Sequence, residues 1–582
     1  MKDSLLRSVR RGVRGLRRRP WRADVPAGVV LGVESVPDGL AGGLLAGVNP
    51  VWGLYAYMVG VTAGAAATSS AFMAVQATGA MAVVVADVPQ VHAPAPDADT
   101  ALFTLSVLTG VMMLGLGLAR LGSAVRFVPH AVLTGFVSAV AVNIVLGQLD
   151  DFTGYDAQGS NRLSSALDTL VHVGSYAWGT VAVGAATIGL ILLLERTALR
   201  ALGLVVAIAV TSALAAGLRA WTGAEVAVLA DVTDIPAALP TVSLPDVGLV
   251  LTLLVPAASL TFVGLVQGAA ISATVPNPDG RYGDASGDFR GQGVANIASG
   301  LLHGMPVGGS MSATALVTTA GARSRTALVV AGVTMAVVIL LLADAVALVA
   351  MPALAGLLIV VGARSLRPAA IALVWRTGPV QATVLATTFA LTVLIPLQYA
   401  VLVGVGLSVI LHVVRQSGAV RLRRWELTAD GVVESDPPRT LDPDETVVLR
   451  PYGSLFFAAV PVLESQLPRV EETSHRSAVV ISLRGKEQLG STFITVISRY
   501  AAQLSAAGSV LFLAGVSPDL RRQLDTLGPA VALPRQHVLG AEPTLTASTR
   551  RAVGLAADWR RARSGGAGTD DGRVEDVGPE EP

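Results

Sequence analysis

Ala74-Val-Gln-Ala-Thr-Gly-Ala-Met-Ala-Val-Val-Val85 and Gly308-Gly-Ser-Met-Ser-Ala-Thr-Ala-Leu-Val-Thr-Thr-Ala-Gly-Ala-Arg323 decide how this chain folds. They lie in two short apolar stretches, Ala74–Val88 and Gly309–Ala322. Each stretch is rich in small residues, and each is third in a run of long apolar segments. A helix needs about 20 residues to cross a bilayer, so neither stretch spans one. Their Gln, Ser, Thr and Gly residues gather at the N-terminal end. Matching short segments in the two halves of a chain point to half-helices that meet near the midplane of a transporter built from inverted repeats. The first turn of such a half-helix offers N–H groups and the positive end of a dipole. It can therefore hold an anion without lysine or arginine.

The rest of the chain fits that frame. It has 582 residues, a mean hydropathy of +0.62 and only 14% charged residues. A soluble protein is about one quarter charged. The deficit runs from Asp24 to Gln416, which marks an integral membrane protein. The net charge of +1 averages this body over polar ends and says little. The absence of cysteine excludes disulfides and thiolate metal sites. The histidines show no zinc-ligand spacing, and no Gly-rich loop ends in the Gly-Lys-Ser/Thr of an ATP-binding loop. No nucleophile–base pair stands out, so neither an enzyme nor a nucleic-acid binder is expected. Arg7, Arg10, Arg11, Arg14, Arg17, Arg18, Arg19 and Arg22 lead directly into a full-length span, which argues against a cleaved signal peptide.

The hydropathy predicts fourteen segments: Ala23–Leu45, Val51–Ser69, Ala74–Val88 (half), Leu102–Leu121, Val125–Gln148, Ala177–Leu194, Ala201–Trp221, Val247–Val275, Gly291–His303, Gly309–Ala322 (half), Thr326–Val346, Ala350–Val361, Val380–Leu397 and Ala400–Val414. The order of lengths repeats after seven, and an odd number per repeat inverts the second against the first. An even total puts both termini on one side, which the basic N-terminus makes the cytoplasm of a cell whose inner membrane holds the protein. Arg120, Arg126, Arg196, Arg200, Arg281, Arg290, Arg323, Arg325 and Arg415 all fall on that inner side. The outer loops Pro94–Asp99, Asp150–Asp156 and Glu225–Pro245 are acidic or neutral.

The organisation is thus a basic tail (1–22), a first repeat (23–222), a second repeat (246–416), a small α/β domain (446–541) and a disordered tail (560–582). In the α/β domain, Val447–Arg450, Ser454–Ala458, Ala478–Leu483 and Val510–Leu513 read as strands. Val460–Leu467, Thr492–Ala507 and Pro518–Leu527 read as helices.

Several stretches resemble the SulP family of inorganic-anion transporters. The first span runs from Asp24-Val-Pro-Ala-Gly28 through Pro37-Asp38 to Leu45-Ala-Gly-Val-Asn-Pro50 and Gly53-Leu-Tyr55, and it is similar to the family's opening signature. Phe127-Val-Pro-His-Ala-Val-Leu-Thr-Gly-Phe136 with Gln148-Leu149, Asn296-Ile297 and Ala320-Gly-Ala-Arg323 match later segments. Gly453-Ser-Leu-Phe-Phe457 resembles the STAS domain that these transporters carry. The resemblance implies an α-helical membrane protein of seven plus seven inverted spans, with a core bundle that carries substrate and a gate bundle that docks a homodimer. It also implies an elevator-like movement of the core and a cytosolic STAS domain that can meet a cytosolic partner.

The chain departs from that pattern at four places. Ala313 stands where many members have arginine, Gln267 where many have glutamate, and Asp38 where glutamine is usual. Gly490-Ser-Thr-Phe493 replaces the usual Asp-Ser-Ser/Thr-Gly.

The expected anion site comprises Gln76, Ala77 and Thr78 at the first half-helix, Gly309, Ser310, Met311, Ser312 and Ala313 at the second, and Gln267 in the eighth span. Small residues there also suit close helix packing in lipid. Glu34 and Asp38 share a helical face inside the first span unless Pro37 and Gly39 break it. A carboxylate at membrane depth costs at least about 2.5 kcal/mol, so it points to function. One of the two would bind H+ or Na+ as the coupling ion, and no other cofactor is expected. Alternatively, Asp38 caps a broken helix and Glu34 pairs with a backbone N–H or an arginine. The function expected is secondary transport of sulfate, bicarbonate, chloride or a carboxylate. The alternatives are a nucleobase-type cation symporter on the same fold and a non-transporting sensor that signals through STAS.

Overall fold

The computed structural model describes residues 21–564, apart from 95–96, 123–128, 160, 198–201, 224, 397–398, 401–402, 404–405, 407–409, 412–413, 415–419, 430, 456, 458, 487–488 and 528–532. It divides into two compact units, Met1–Ser408 and Val409–Pro582.

The first unit is helical. In chain order its main elements are α1 (Trp21–Leu45), α2 (Pro50–Ala67), β1 (Ala74–Gln76), α3 (Gly79–Ala86), α4 (Asp97–Leu118), α5 (His130–Leu146), α6 (Arg162–Val171), α7 (Trp178–Leu194), α8 (Gly203–Thr222), α9 (Val250–Thr274), α10 (Ala285–Leu301), β2 (Gly308–Ser310), α11 (Met311–Thr319), α12 (Thr326–Leu341), α13 (Met351–Ser365), α14 (Pro368–Thr377) and α15 (Pro379–Leu394). Every expected span up to Val380–Leu397 has its helix. The last, Ala400–Val414, falls largely outside the described residues, as do most of the basic tail, Arg126, Arg200 and Arg415. The two half-helices begin later than expected, because their first residues are extended: Ala74–Gln76 and Gly308–Ser310 are strands.

Two bundles emerge from the packing. In the first, α10 lies against α4 and α2, α12 against α1 and α2, and α9 against α4. In the second, α5 packs on α15 and α13, and α7 on α8 and α13. Contact between the bundles is narrow and runs through α3 with α5, and through α1 with α8 and α13. Glycine on glycine brings α4 and α10 together: a Cβ at Gly110 would stand 2.6 Å from the Ile297 nitrogen, and one at Gly293 2.6 Å from the Leu114 nitrogen.

Buried charge pins the first bundle at its loops. Asp24 in α1 accepts the Arg323 N–H at 2.7 Å and the Ser324 N–H at 3.0 Å. Asp288 in α10 accepts the Ser69 hydroxyl at 2.7 Å, the Ser70 N–H at 2.6 Å and the Ser272 hydroxyl at 2.6 Å. Arg325 donates to the carbonyl of Ala65 at 3.0 Å, which the end of α2 leaves without a helical partner, and to that of Ser69, just past the helix, at 2.9 Å.

The break expected at Pro37–Gly39 is absent, and α1 is continuous from Trp21 to Leu45 with Pro26 and Pro37 inside it. Its neighbours hold it together there. A Cβ at Gly39 would lie 3.1 Å from Leu54 Cα, and one at Gly43 2.6 Å from Pro50 Cα, so α1 and α2 are in backbone contact along this stretch.

The second unit is an α/β sandwich. Its six strands are β3 (Arg421–Leu427), β4 (Val432–Ser435), β5 (Thr446–Tyr452), β6 (Ala478–Ser482), β7 (Val510–Val516) and β8 (Val538–Gly540), in the order β4-β3-β5-β6-β7-β8. β3 is antiparallel to β4 and β5, whereas β5 to β8 run parallel. The helices α16 (Val460–Glu464), α17 (Ser491–Ala506) and α18 (Pro518–Leu527) are cored by Leu463, Phe493, Ile497, Leu504 and Leu520 against one face. α19 (Ala547–Ser564) covers the other, with Ala552 and Ala556 on Val448, Val480 and Phe512.

The domain is therefore wider than the 446–541 read from the sequence. The hairpin β3–β4 precedes that range and α19 follows it, so residues 560–564 are helix where a disordered tail was expected. Residues 565–582 lie outside the described set. Ser454, Leu455 and Phe457 are not in a strand, contrary to expectation.

Candidate functional site

The site is built on two three-residue strands. β1 and β2 pair antiparallel, with Ala74 opposite Ser310, Val75 opposite Gly309 and Gln76 opposite Gly308. The half-helices α3 and α11 leave the ends of this pair in opposite directions. Both N-termini therefore lie at this crossing, one at each end of the strand pair. Each begins with a hydroxyl cap: Thr78 Oγ1 accepts the Met81 N–H at 3.4 Å, and Ser310 Oγ accepts the Ala313 N–H at 3.3 Å. The first N–H groups of a helix have no partner within it. Once the caps have taken Met81 and Ala313, the amides of Gly79, Ala80, Met311 and Ser312 remain as donors, backed by two helix dipoles of the same sign.

Side chains from three more helices close around the crossing. Gln267 on α9 pairs with Thr78, placing Nε2 2.9 Å and Oε1 3.2 Å from the hydroxyl. Gln76 is buried and donates through Nε2 to the Ser35 hydroxyl of α1 at 2.8 Å. On α10, Gln292 Oε1 accepts the Gly309 N–H at 3.0 Å, and Asn296 binds both backbone groups of Val307. Ser310 and Met311 are half-buried and Ser312 is exposed, with the two serine hydroxyls 3.2 Å apart.

The structure thus brings together Gln76, Thr78, Gln267, Gly309, Ser310, Met311 and Ser312. The side chains of two other expected residues, Ala77 and Ala313, are buried. The methyl group of Ala77 is buried in the main hydrophobic core. That of Ala313 belongs to the smaller buried cluster that includes Ala27, Leu31, Ala74 and Val317. Their contribution is confined to backbone, and the Ala313 amide is already committed to Ser310.

Glu34 and Asp38 lie on the same helix as Ser35. Glu34 is half-buried, and its Oε2 is buried without a hydrogen-bond partner. It is within electrostatic range of Asp38 and of Glu195, which is ion-paired with Arg364 of α13. Asp38 is in the same range of the buried Tyr57. The sequence reading missed Ser35, Gln292 and the role of Asn296. The available signal was Gln292-Gly-Val-Ala-Asn296, two amide side chains one turn apart on a membrane helix.

Comparison with known proteins adds the following. The sequence profile of the Sulfate permease family matches residues 21–388, and that of the STAS domain matches residues 438–530. A probable sulfate transporter of Mycobacterium tuberculosis is 25% identical over 564 residues, which span 92% of this chain and 97% of the relative. The bicarbonate transporter BicA of Synechocystis is 24% identical over 462 residues, 77% of this chain and 80% of its own. Among solved structures, the murine Solute Carrier 26 family member A9 anion transporter in the inward-facing state matches with a TM-score of 0.81 at 17% identity, covering 93% of this chain and 92% of that one. The transmembrane domain of a cyanobacterial BicA matches with a TM-score of 0.57 at 22% identity, covering 68% and 97%. At such identities the solved structures speak for the fold.

Proposed function

The chain belongs to the sulfate permease family, and on that premise we propose that it is a secondary transporter that binds one small anion between the N-termini of α3 and α11. The observation that carries this reading is the antiparallel β1–β2 pair, from which both half-helices start, so that both N-termini lie at one short sheet. The donors offered to the anion are the amides of Gly79, Ala80, Met311 and Ser312 and the hydroxyls of Ser310 and Ser312. Sulfate and bicarbonate lead the candidates, because relatives are named for them. Chloride and carboxylates satisfy the same donors.

The bundle of α1–α4 and α9–α12 carries the anion, and the bundle of α5, α7, α8, α13 and α15 is the gate along which it slides. The narrow contact between them suits such a movement. Glu34 takes up H+ or Na+ and offsets the charge that moves with the anion. Its unpartnered Oε2 supports it ahead of Asp38. Both termini face the cytoplasm of a bacterial-type inner membrane, and the protein works as a homodimer through the gate bundle.

The test is uptake of labelled sulfate, bicarbonate and chloride into proteoliposomes under pH and sodium gradients. Saturable uptake of at least one anion is expected, lost in Ser310→Leu and uncoupled from the gradient in Glu34→Gln. One feature favours a second reading: Ala313 and Gln267 leave the site without a formal charge. Uracil therefore belongs among the substrates offered. Uptake of uracil and of no anion would replace the anion reading with a neutral-substrate symporter.

A further inference from the structure

Two fully buried side chains of α10 hold the segment that leads into the second half-helix. Asn296 makes a two-point clamp on a single residue: its Oδ1 accepts the Val307 N–H at 2.9 Å, and its Nδ2 donates to the Val307 carbonyl at 2.6 Å. One turn earlier, Gln292 Oε1 accepts the Gly309 N–H at 3.0 Å. Three backbone groups of the segment that ends at the Ser310 cap are therefore fixed by two amides on one helical face. This removes the Gly309 N–H from the donors open to a ligand, and it sets the angle at which the amides of Met311 and Ser312 emerge.

Gln292 has a second oddity. Its Nε2 is buried and has no hydrogen-bond partner. The group lies in a slot that α9 leaves open. A Cβ at Gly268 would stand 2.1 Å from Nε2, and one at Gly264 3.4 Å from Oε1. Gln267, next to Gly268, reaches the Thr78 cap of the other half-helix. A side chain that only filled this slot could be apolar, and no orphaned donor would result. What requires an amide here is the acceptor presented to Gly309.

We infer that Gln292 and Asn296 are the positioning residues of the anion site, aiming the amides of the second half-helix at the point served by the first. The assignment rests on the transport reading above and deepens it. A positioning role changes how well the site fits an anion, and does so differently for a tetrahedral and a spherical one. A packing role changes only how much protein survives.

The experiment uses the full-length protein in proteoliposomes, with labelled sulfate and chloride as probes. It compares Gln292→Met, which removes the acceptor, with Gly268→Ala, which crowds Gln292 from another helix. Each is expected to raise the KM for sulfate about tenfold, the scale of one buried hydrogen bond. Vmax per folded transporter should stay within about twofold, and the ratio of sulfate to chloride KM should shift. Asn296→Ala should move the same quantities further. If Gln292→Met does not fold, Gly268→Ala carries the same readout. Unchanged KM values and an unchanged ratio, or a loss of Vmax that merely tracks the loss of folded protein, would overturn the assignment and leave the transport reading standing. No saturable uptake of any anion by the native protein would overturn both.

Discussion

The two half-helices share a plan, and the second helix of each repeat holds its strand by a different means. β1 is backed by α2, where Gly60 and Gly64 lie one turn apart. A Cβ at Gly64 would stand 2.6 Å from Val75 Cγ2, and one at Gly60 2.8 Å from the Val75 carbonyl oxygen. β2 is backed by α10, where Gln292 and Asn296 lie one turn apart and bind the backbone of residues 307 and 309. The spacing is the same and the helix is second in each repeat, but one copy uses the absence of side chains and the other uses amides. Close packing fixes a separation, whereas hydrogen bonds also fix an orientation.

The far ends differ too. The C-terminal end of α3 is tied to α6, which packs on α5 of the other bundle: Arg162 of α6 pairs with Asp87 at 2.8 Å and lies 3.4 Å from the Val83 carbonyl oxygen. The loop after α11 is tied within its own bundle, to Asp24 of α1. A sliding core would have to release α3 from the gate and could keep α11 as it is.

The largest effect should fall on the bonded copy. Asn296→Ala leaves both backbone groups of Val307 buried without a partner and should cost about 2–4 kcal/mol. Thermal unfolding of the purified protein measures it. An equal loss in Gly60→Ala would erase the distinction between the two copies. Gly64→Leu should come next, at about 1–3 kcal/mol, because it forces a side chain onto Val75 in the packed copy. Insensitivity to that substitution would show that α2 and β1 are not held by contact.

At the caps, Ser310→Ala should cost about 1 kcal/mol. Thr78→Ala should cost more, because it also strands the Gln267 amide. A double variant with Gln267→Leu should recover the excess, and additive losses would mean that the Thr78–Gln267 pair is not coupled. The smallest effect should come from Arg162→Gln, whose ion pair is partly exposed and worth at most about 1 kcal/mol. It should raise turnover a few-fold and weaken the salt dependence of the rate. Asp24→Asn should instead lower stability and leave the salt dependence unchanged.

Much of this was legible from residues 74–85 and 308–323 alone. Shortness, small residues and polar N-terminal ends announced the half-helices, because each depends on local composition. What composition could not announce was the strand pairing that joins residues more than two hundred positions apart, or the two α10 amides that bind the backbone of Val307 and Gly309. Ala313 illustrates the limit. Its place at the start of the half-helix offered its backbone N–H to a substrate, and in the structure that N–H donates to the Ser310 hydroxyl while the methyl group lies in a buried cluster. Pro37 illustrates it from the other side. A local rule breaks the helix there, and backbone contact with α2 keeps it whole.

By itself, the sequence determined that the chain is a membrane protein of repeated design with a soluble α/β end, because apolar run length and charge deficit are sums over neighbouring residues. Only the tertiary structure decided which polar groups meet which: Gln76 with Ser35, Gln267 with Thr78, and Gln292 with Gly309. It also decided that the soluble sheet takes in the β3–β4 hairpin and is covered by α19. Hydrogen-bond partnership in a dry interior depends on distance and direction between remote segments, and a linear pattern does not contain those coordinates.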